Sequence, residues 1–368
     1  MASPAPLSKA NTTFCLDLFR KLSDNDNTAN VFFSPFSISS ALAMVMLGAR
    51  GNTATQISEV HDTWQDGCLK TQDCQDVHTS FTQLLTEFNK ADAPYALSVA
   101  NRLYGEQSYQ FVEDFLTQTR KLYNAELESV DFKTSSEAAR VNINSWVEKQ
   151  TQGKIRDMLP KDVLDNDSRL VLVNAMYFKG TWNKTFERID TYDAKFRLNK
   201  ILEMPYKGKE LSMLIFLPNE IEDDTTGLEK LEKQLTYEKF VEWTRPDMMS
   251  EVEVDVKLPQ FKLEETYDLK DVLKNMGMVD AFDDKKSDFS GMSGTKDLIL
   301  SEVIHKTHVE VNEEGTEAAA ATGACVRLLS GRMYFNLAHF IADHPFLFFI
   351  RHNTTMSVLF AGRFCSPV

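Results

Sequence analysis

The sequence contains no apolar run long enough to cross a bilayer, and its longest runs, such as Phe346 to Ile350, have the length of β-strands. Its first residues also lack the basic segment and apolar stretch of a secretory signal. Both absences predict a cytoplasmic protein with no membrane association. Any release from the cell would then proceed without a signal peptide.

Cysteine is scarce and basic residues are outnumbered. An excess of 54 acidic over 40 basic side chains gives a net charge of −14, which argues against a nucleic-acid partner. Fifteen glycines and eleven prolines in 368 residues are too few for a low-complexity or collagen-like chain. Five scattered cysteines argue against a disulfide framework and for a reducing compartment: Cys15, Cys68, Cys74, Cys325 and Cys365.

Catalytic and metal-binding motifs are missing as well. The sequence has no H-E-x-x-H, no Walker loop and no G-x-G-x-x-G after a strand, and Gly291 to Gly294 does not match a nucleophile elbow. His305 and His308 lie three apart in an alternating segment, so a strand would point them to opposite faces. We therefore expect no enzyme, no metal and no cofactor. Acid–base carboxylate pairs could still form in space, which leaves an unrelated hydrolase as an alternative.

The periodicities that are present predict one α+β domain over residues 1–368. Apolar residues recur at helical spacing early in the chain, and strand patterns dominate later, with no repeat or linker between them. The strand Leu170 to Phe178 reads as buried on both faces. The other predicted elements are a helix that Ser34-Pro35 opens and that Gly48 and Gly51 can end, a helix capped by Thr134 to Glu137 and running to about Gln152, and a C-terminal hairpin of Phe346–Ile350 and Ser357–Phe364.

One segment, residues 312–332, fits two different states. Taken simply, it is a short alanine-rich helix or a flexible connection between core strands. Read with a period of two, however, it has a face of small or apolar residues that would suit a strand slotted into a sheet. That face consists of Thr316, Ala318, Ala320, Thr322, Ala324 and Val326.

Four separated motifs, in the right order along the chain, resemble those of the serpins, a family that traps serine proteases. Glu313-Glu-Gly-Thr-Glu-Ala-Ala-Ala-Ala-Thr322 resembles the hinge of the serpin reactive loop. Asn30 to Ser37 resembles the lead into the second helix, and Leu172 to Trp182 resembles a strand of the central sheet. Ala342 to Asn353 and Phe360 to Phe364 resemble the C-terminal hairpin. The absence of a signal peptide and the polar insertion that contains Cys68 and Cys74 resemble features of the ovalbumin-type branch of this family.

The resemblance implies helices packed on a large central mixed sheet, two smaller sheets and an exposed reactive loop at about residues 313–341. It also implies a suicide substrate. A serine protease cuts the loop, and the cut loop then inserts into the central sheet and traps the acyl-enzyme. The chain would act as a monomer. Carried over, the hinge comprises Glu313, Glu314, Gly315, Thr316, Glu317, Ala318, Ala319, Ala320, Ala321 and Thr322, with Gly315 free to change conformation.

A second group of residues matches the place where the serpin sheet opens. Ser34, Ser37, Asn174 and His305 match a polar cluster beneath that point, and Trp182 matches an aromatic residue at the end of the sheet where insertion begins. Hydroxyls and an amide can satisfy a buried histidine. Without the motif context, ordinary core packing is the favoured explanation for all five residues.

The scissile bond has two main candidates. The family's usual spacing from Gly315 places it at Leu329-Ser330, which suits the apolar pocket of a chymotrypsin-like or elastase-like protease. Counting back from the C-terminal motif instead favours Arg332-Met333, which would select a trypsin-like protease. Arg327 is a third and weaker candidate. We favour Leu329.

The sequence departs from the serpin pattern at 200/201. Phe196 to Lys200 runs directly into Ile201 to Tyr206, where the family resemblance implies about two further strands. Their loss would be expected to leave unpaired strand edges and a hole in the core. This departure keeps an alternative open: a non-inhibitory protein with the serpin fold, or a variant that proteases only cleave.

Overall fold

The computed structural model describes residues 6–24, 26–60, 77–90, 92–186, 191–197, 201–218, 227–316 and 338–366, with backbone alone at 191–197 and at residue 253. The helices are α1 (Pro6–Ser23), α2 (Pro35–Gly48), α3 (Gly51–Glu59), α4 (Val77–Phe88), α5 (Glu113–Tyr123), α6 (Phe132–Gln150), α7 (Glu229–Gln234), α8 (Tyr237–Thr244), α9 (Lys270–Asn275) and α10 (Ser290–Ser293). The strands are β1 (Val31–Phe33), β2 (Tyr95–Glu106), β3 (Glu126–Val130), β4 (Leu170–Thr181), β5 (Thr191–Arg197), β6 (Ile201–Pro205), β7 (Leu211–Phe216), β8 (Ser250–Lys257), β9 (Phe261–Asp268), β10 (Leu300–Val311), β11 (Gly315–Thr316), β12 (Ala338–Ile341), β13 (Phe346–His352) and β14 (Ser357–Phe364).

A six-stranded mixed sheet in the order β3-β2-β4-β11-β10-β9 carries the candidate site. Its central strands β4 and β10 pair in parallel, from Leu170 opposite Leu300 to Tyr177 opposite His308. Every residue from Leu170 to Phe178 is buried, which confirms that this strand is covered on both faces. Beyond the parallel pairing, the two-residue strand β11 lies between the ends of β4 and β10.

The second sheet has eight strands in the order β1-β14-β13-β7-β6-β5-β8-β12. Strand β5 pairs with β8 over residues 191–196 and with β6 over residues 195–197. The two smaller sheets expected from the sequence are therefore joined edge to edge through this one strand. The neighbouring edges of β6 and β8, which we expected to be unpaired, both bond to β5, because the shortened chain lets a single strand reach both.

Aromatic side chains fill the space between the two sheets. Phe178 on β4 lies 6.0 Å from Phe360 on β14 between ring centroids, and Phe360 stacks on Phe32 at 5.4 Å. A second apolar cluster, which includes Ile143 and Val173, packs α6 against the outer face of the six-stranded sheet. The six-stranded sheet therefore lies between two apolar layers, and a strand added to it would have both faces buried.

Local capping agrees with the sequence in one helix and not in another. The Oγ of Ser34 accepts from the backbone N–H of Ser37 at 3.1 Å, and α2 ends at Gly48, the first of the two predicted ends. The predicted start of α6 coincides with a kink inside the observed helix, where Ser135 has a non-helical φ of −142° and ψ of 39°. The helix begins at Phe132, and Asp131 rather than Thr134 caps it, because the Asp131 carboxylate accepts from the Thr134 N–H. The C-terminal hairpin of β13 and β14 is confirmed.

In the part of the chain that the structure describes, no helix combines the length and apolar character needed to span a bilayer.

Candidate functional site

The first residues of the predicted hinge are already part of the six-stranded sheet. Gly315 pairs with Thr181 and Thr316 with Gly180 on β4, in antiparallel register. On its other side Thr316 pairs with Val311 at the end of β10. The sheet therefore admits a strand between β4 and β10 over these two residues.

Gly315 is required by the closeness of this pairing. Its φ of +150° is rare for residues with a side chain, and a Cβ there would lie 2.1 Å from the Gly180 carbonyl oxygen. The turn before it is held by Asn312, whose Oδ1 accepts from the N–H groups of Glu314 and Gly315 at 3.0 and 3.2 Å. The turn brings the chain back beside β10 at the position where β11 begins.

Trp182 fixes the hinge from the β4 side. Its backbone N–H donates to the Glu314 carbonyl oxygen at 2.9 Å, and its indole Nε1–H donates to the Asn312 carbonyl oxygen at 3.0 Å. The indole stacks on the ring of Tyr206 with centroids 4.5 Å apart. Glu313 is held as well, because its carbonyl oxygen accepts from the Phe186 N–H at 2.8 Å.

Further along β4 and β10, away from β11, the predicted polar cluster is assembled around His305. The backbone N–H of Ser34 donates to His305 Nε2 at 3.0 Å, so this nitrogen must accept and Nδ1 carries the proton. That proton points to the Oδ1 of Asn174, whose Nδ2 donates to the Oγ of Ser37 at 2.6 Å. All four residues are fully or almost fully buried. The bond from Asn174 to His305 joins β4 directly to β10.

Burial makes His305 a neutral group. Desolvation disfavours the imidazolium and lowers the pKa of His305 to about 3 from 6.5, while its hydrogen bond with Asn174 opposes this shift. Because the unfolded chain binds a proton near pH 6.5 and the folded chain does not, stability is fully present above pH 6.5 and falls on acidification towards pH 3. His352 adds to the loss, since burial lowers its pKa to about 4.

We predict that His305→Gln makes folding less sensitive to acid. Wild-type protein should lose about 1.4 kcal/mol per pH unit from this one group between pH 6 and pH 4, and the variant should not. Urea unfolding at half-unit pH steps measures both slopes. His339→Gln, at an exposed histidine on β12, is the matched control and should keep the wild-type slope. Equal slopes for wild type and His305→Gln would contradict the assignment.

Comparison with known proteins identifies the architecture. A family model described as serpin, serine protease inhibitor, matches residues 9–201 and 199–367. The chain belongs to the serpin family. Its α+β fold is that of solved serpins: uncleaved ovalbumin matches with a TM-score of 0.84 and 35% identity, covering 98% of this chain and 99% of ovalbumin. A maspin structure matches with the same score and identity, covering 98% of each chain.

Curated serpins are also similar in sequence. The leukocyte elastase inhibitor of Equus caballus is 51% identical, and that of Homo sapiens 49%, each over 98% of this chain and 99% of the relative. The alignment with the horse protein has 387 positions and this chain has 368 residues, so at least 19 positions are gaps in this serpin. The two segments matched by the family model meet at residues 199–201.

The structure brings the site residues predicted from the sequence of this serpin together at two places. Trp182 and the hinge residues Glu313 to Thr316 meet at the end of the sheet, and Ser34, Ser37, Asn174 and His305 form the cluster below it. The remaining predicted residues lie outside the described residues: Glu317, Ala318, Ala319, Ala320, Ala321, Thr322, Arg327, Leu329, Ser330, Arg332 and Met333.

Sequence reasoning missed two serpin residues that complete the site. Asn101 on β2 bonds through its Oδ1 to the Nδ2 of Asn174 and donates from its own Nδ2 to Ser40 Oγ at 3.0 Å. An amide inside an otherwise strand-like segment was the available signal for it. Tyr206 hydrogen-bonds to Thr316 from a distant part of the chain, and no local pattern marks it.

Among the described residues, no three His, Cys, Asp or Glu side chains lie close enough together to hold a metal ion.

Proposed function

We propose that this serpin is a suicide-substrate inhibitor of serine proteases, which traps the acyl-enzyme by inserting its cleaved loop between β4 and β10. The observation that carries the proposal is β11, because Gly315 and Thr316 already occupy the first two positions of such a strand. A related ovalbumin mutant, 36% identical with a TM-score of 0.81, is described as cleaved and loop-inserted. Proteins of this family inhibit proteases and are not themselves catalysts, so we assign no enzymatic activity.

If β11 continued in its observed register, each later loop residue would have a defined partner on β4. Continued antiparallel to β4, the strand would place Ala318 opposite Phe178 and Ala320 opposite Met176. These positions face the aromatic core between the sheets, where only small side chains fit without displacing rings. The alternating face of small residues predicted from the sequence is the face that would be buried.

The same register gives the polar cluster a role in insertion. Thr322 would lie opposite Asn174 on β4 and opposite His305 on β10. A strand there must break the direct bond between Asn174 and His305, because β4 and β10 would move one strand spacing apart. The Thr322 hydroxyl can both donate and accept, so it can bridge the separated amide and imidazole. The cluster would thus hold the sheet closed before cleavage and be satisfied again afterwards.

The shortened segment is compatible with this function. Strand β5 pairs with both β6 and β8, and the buried side chains of β6 remain in the core. We propose that residues 1–368 form one shortened serpin domain with its loop at about 313–341 and its missing segment at 200/201. The inhibitory reading is favoured over a substrate-only protein because the hinge is paired in the sheet.

The target class follows from the scissile bond. We propose Leu329-Ser330, and hence a chymotrypsin-like or elastase-like protease with an apolar pocket, with Arg332-Met333 and a trypsin-like protease as the alternative. The relatives named leukocyte elastase inhibitor support the first choice. We further propose a cytoplasmic monomer, with no nucleic-acid or membrane partner.

Mixing the purified protein separately with chymotrypsin, elastase and trypsin tests this function. We expect an SDS-resistant adduct with chymotrypsin or elastase, and mass spectrometry should place the cut after Leu329. Leu329→Glu should slow adduct formation by about 100-fold, since an apolar pocket cannot satisfy a buried carboxylate, whereas Arg332→Gln should leave it unchanged.

Two other outcomes would correct the proposal. An adduct formed with trypsin alone and cut after Arg332 would keep the inhibitory function and move the bond. Complete cleavage by all three proteases without an adduct would overturn inhibition and make the chain a substrate. Each protease inactivated at its catalytic serine is the negative control, because it cannot form the acyl-enzyme.

A further inference from the structure

Tyr206 joins the two sheets at the point where the hinge enters. It follows the last residue of β6 in the eight-stranded sheet, and its hydroxyl lies 2.8 Å from the Oγ1 of Thr316 on β11. Both side chains are buried, with exposed fractions of 1% for Tyr206 and 0% for Thr316. This bond links the hinge end of the loop to the eight-stranded sheet, to which the return end of the loop belongs through β12.

The ring of Tyr206 is fixed independently of its hydroxyl. It stacks on Trp182 at an angle of 18° and meets the ring of Phe178 edge-on, with centroids 5.1 Å apart. An isolated bridge also pairs the backbones of Trp182 and Tyr206. Removing the hydroxyl alone would therefore leave the ring in place and delete one specific contact with the hinge.

We infer that Tyr206 is a positioning residue that holds Thr316 in the sheet before any protease arrives, and so sets how far the intact loop is inserted. This inference rests on the proposed inhibitory function. It adds that two loop states exist, one with the hinge docked at Tyr206 and one with the hinge withdrawn. The Thr316 hydroxyl is buried in the docked state, so this state is favoured only while the Tyr206 hydroxyl is hydrogen-bonded to it.

The two states would act on different steps of inhibition. A withdrawn hinge lengthens the exposed loop, so proteases should attack it faster. After cleavage, however, insertion would have to begin from an undocked strand while the acyl-enzyme hydrolyses. Loss of the Tyr206 hydroxyl should therefore raise the rate of attack and also raise the number of inhibitor molecules consumed per protease trapped.

Hydrogen exchange on the intact protein measures docking directly. In Tyr206→Phe, amides in the segment 310–316 should exchange about five- to tenfold faster, because a buried hydroxyl is left without a partner. Thr316→Val should have a similar effect, and the double variant should exchange no faster than the faster single variant. Unchanged exchange in Tyr206→Phe, or fully additive effects, would overturn the inference.

Tyr95→Phe is the matched control. The Tyr95 hydroxyl is buried without a hydrogen bond in the described part of the chain, and its ring also lies against Phe178, at 6.3 Å. It should leave both exchange and inhibition unchanged, which separates docking from general loosening of the site.

In a titration of protease activity, Tyr206→Phe should at least double the inhibitor consumed per protease, and an unchanged ratio would contradict the role in inhibition. Because exchange needs no protease, failure of the proposed function would not hide a positive or negative result on docking.

Discussion

Thr316→Arg is expected to convert the inhibitor into a substrate. The Thr316 side chain is completely buried and bonded to Tyr206, in a position where β11 meets β4 and β10. An arginine there would place a charge without a partner against the aromatic core, so the hinge could not enter the sheet. Cleavage of the loop would continue, but deacylation would finish before insertion. We expect the adduct to fall at least about tenfold, with cleaved protein in its place.

A gel that separates adduct from cleaved protein, with elastase or chymotrypsin at limiting concentration, measures this partition. Glu313→Arg is the matched control, because it introduces the same side chain two residues before β11 at an exposed position. It should form nearly as much adduct as wild type. Normal trapping by Thr316→Arg would exclude insertion that begins in the observed register.

Glu203→Ala should strongly destabilise the fold. Glu203 on β6 accepts from the Nη2 of Arg351 on β13 at 3.2 Å, and both side chains are buried. Desolvation already lowers the pKa of Arg351, and Glu203 opposes that shift. Among the described residues, removing the carboxylate leaves the buried guanidinium with the Thr244 carbonyl and the Asn353 amide oxygen as acceptors, neither of which carries a charge. We expect a loss of about 3–5 kcal/mol in the free energy of unfolding.

Guanidinium unfolding of the native protein measures this loss, and a compensated variant tests its cause. Glu203→Leu combined with Arg351→Met replaces the pair by apolar side chains and should recover more than half of the loss. Glu137→Ala removes the exposed partner of Arg140 in an ion pair on α6 and should leave the midpoint nearly unchanged. A Glu203→Ala midpoint equal to wild type would mean that β6 is not packed as described after the shortened segment.

The parts of the site that follow from local pattern could be predicted from the sequence. The alternation of small residues from Thr316 predicted a strand that could enter a sheet, and Thr316, the one residue of that face among the described residues, is paired in one. The strand from Leu170 to Phe178 was predicted because continuous apolar residues need two covered faces. The cluster at His305 was predicted only through family resemblance, since spacing alone does not bring Asn174 and His305 together.

The features that depend on contacts between distant segments could not be predicted. Tyr206 and Thr316 are 110 residues apart, and no sequence pattern near either residue predicts their contact. The pairing of β5 with both β6 and β8 was likewise not foreseen. The sequence showed that strands were missing, but whether a neighbouring strand can close the gap depends on how the sheet edges lie in space.

The position of β5 also connects the two ends of the loop through the eight-stranded sheet. From the return end of the loop, β12 bonds to β8, β8 to β5, β5 to β6, and Tyr206 just after β6 reaches back to the hinge. The two ends of the loop are thus connected in series through one hydrogen-bonded path. The β5–β6 link has three residue pairs and the β5–β8 link has six, whereas the hinge end of the path is the single hydrogen bond between Tyr206 and Thr316, so a pull transmitted along this path by a tethered protease would break that bond first.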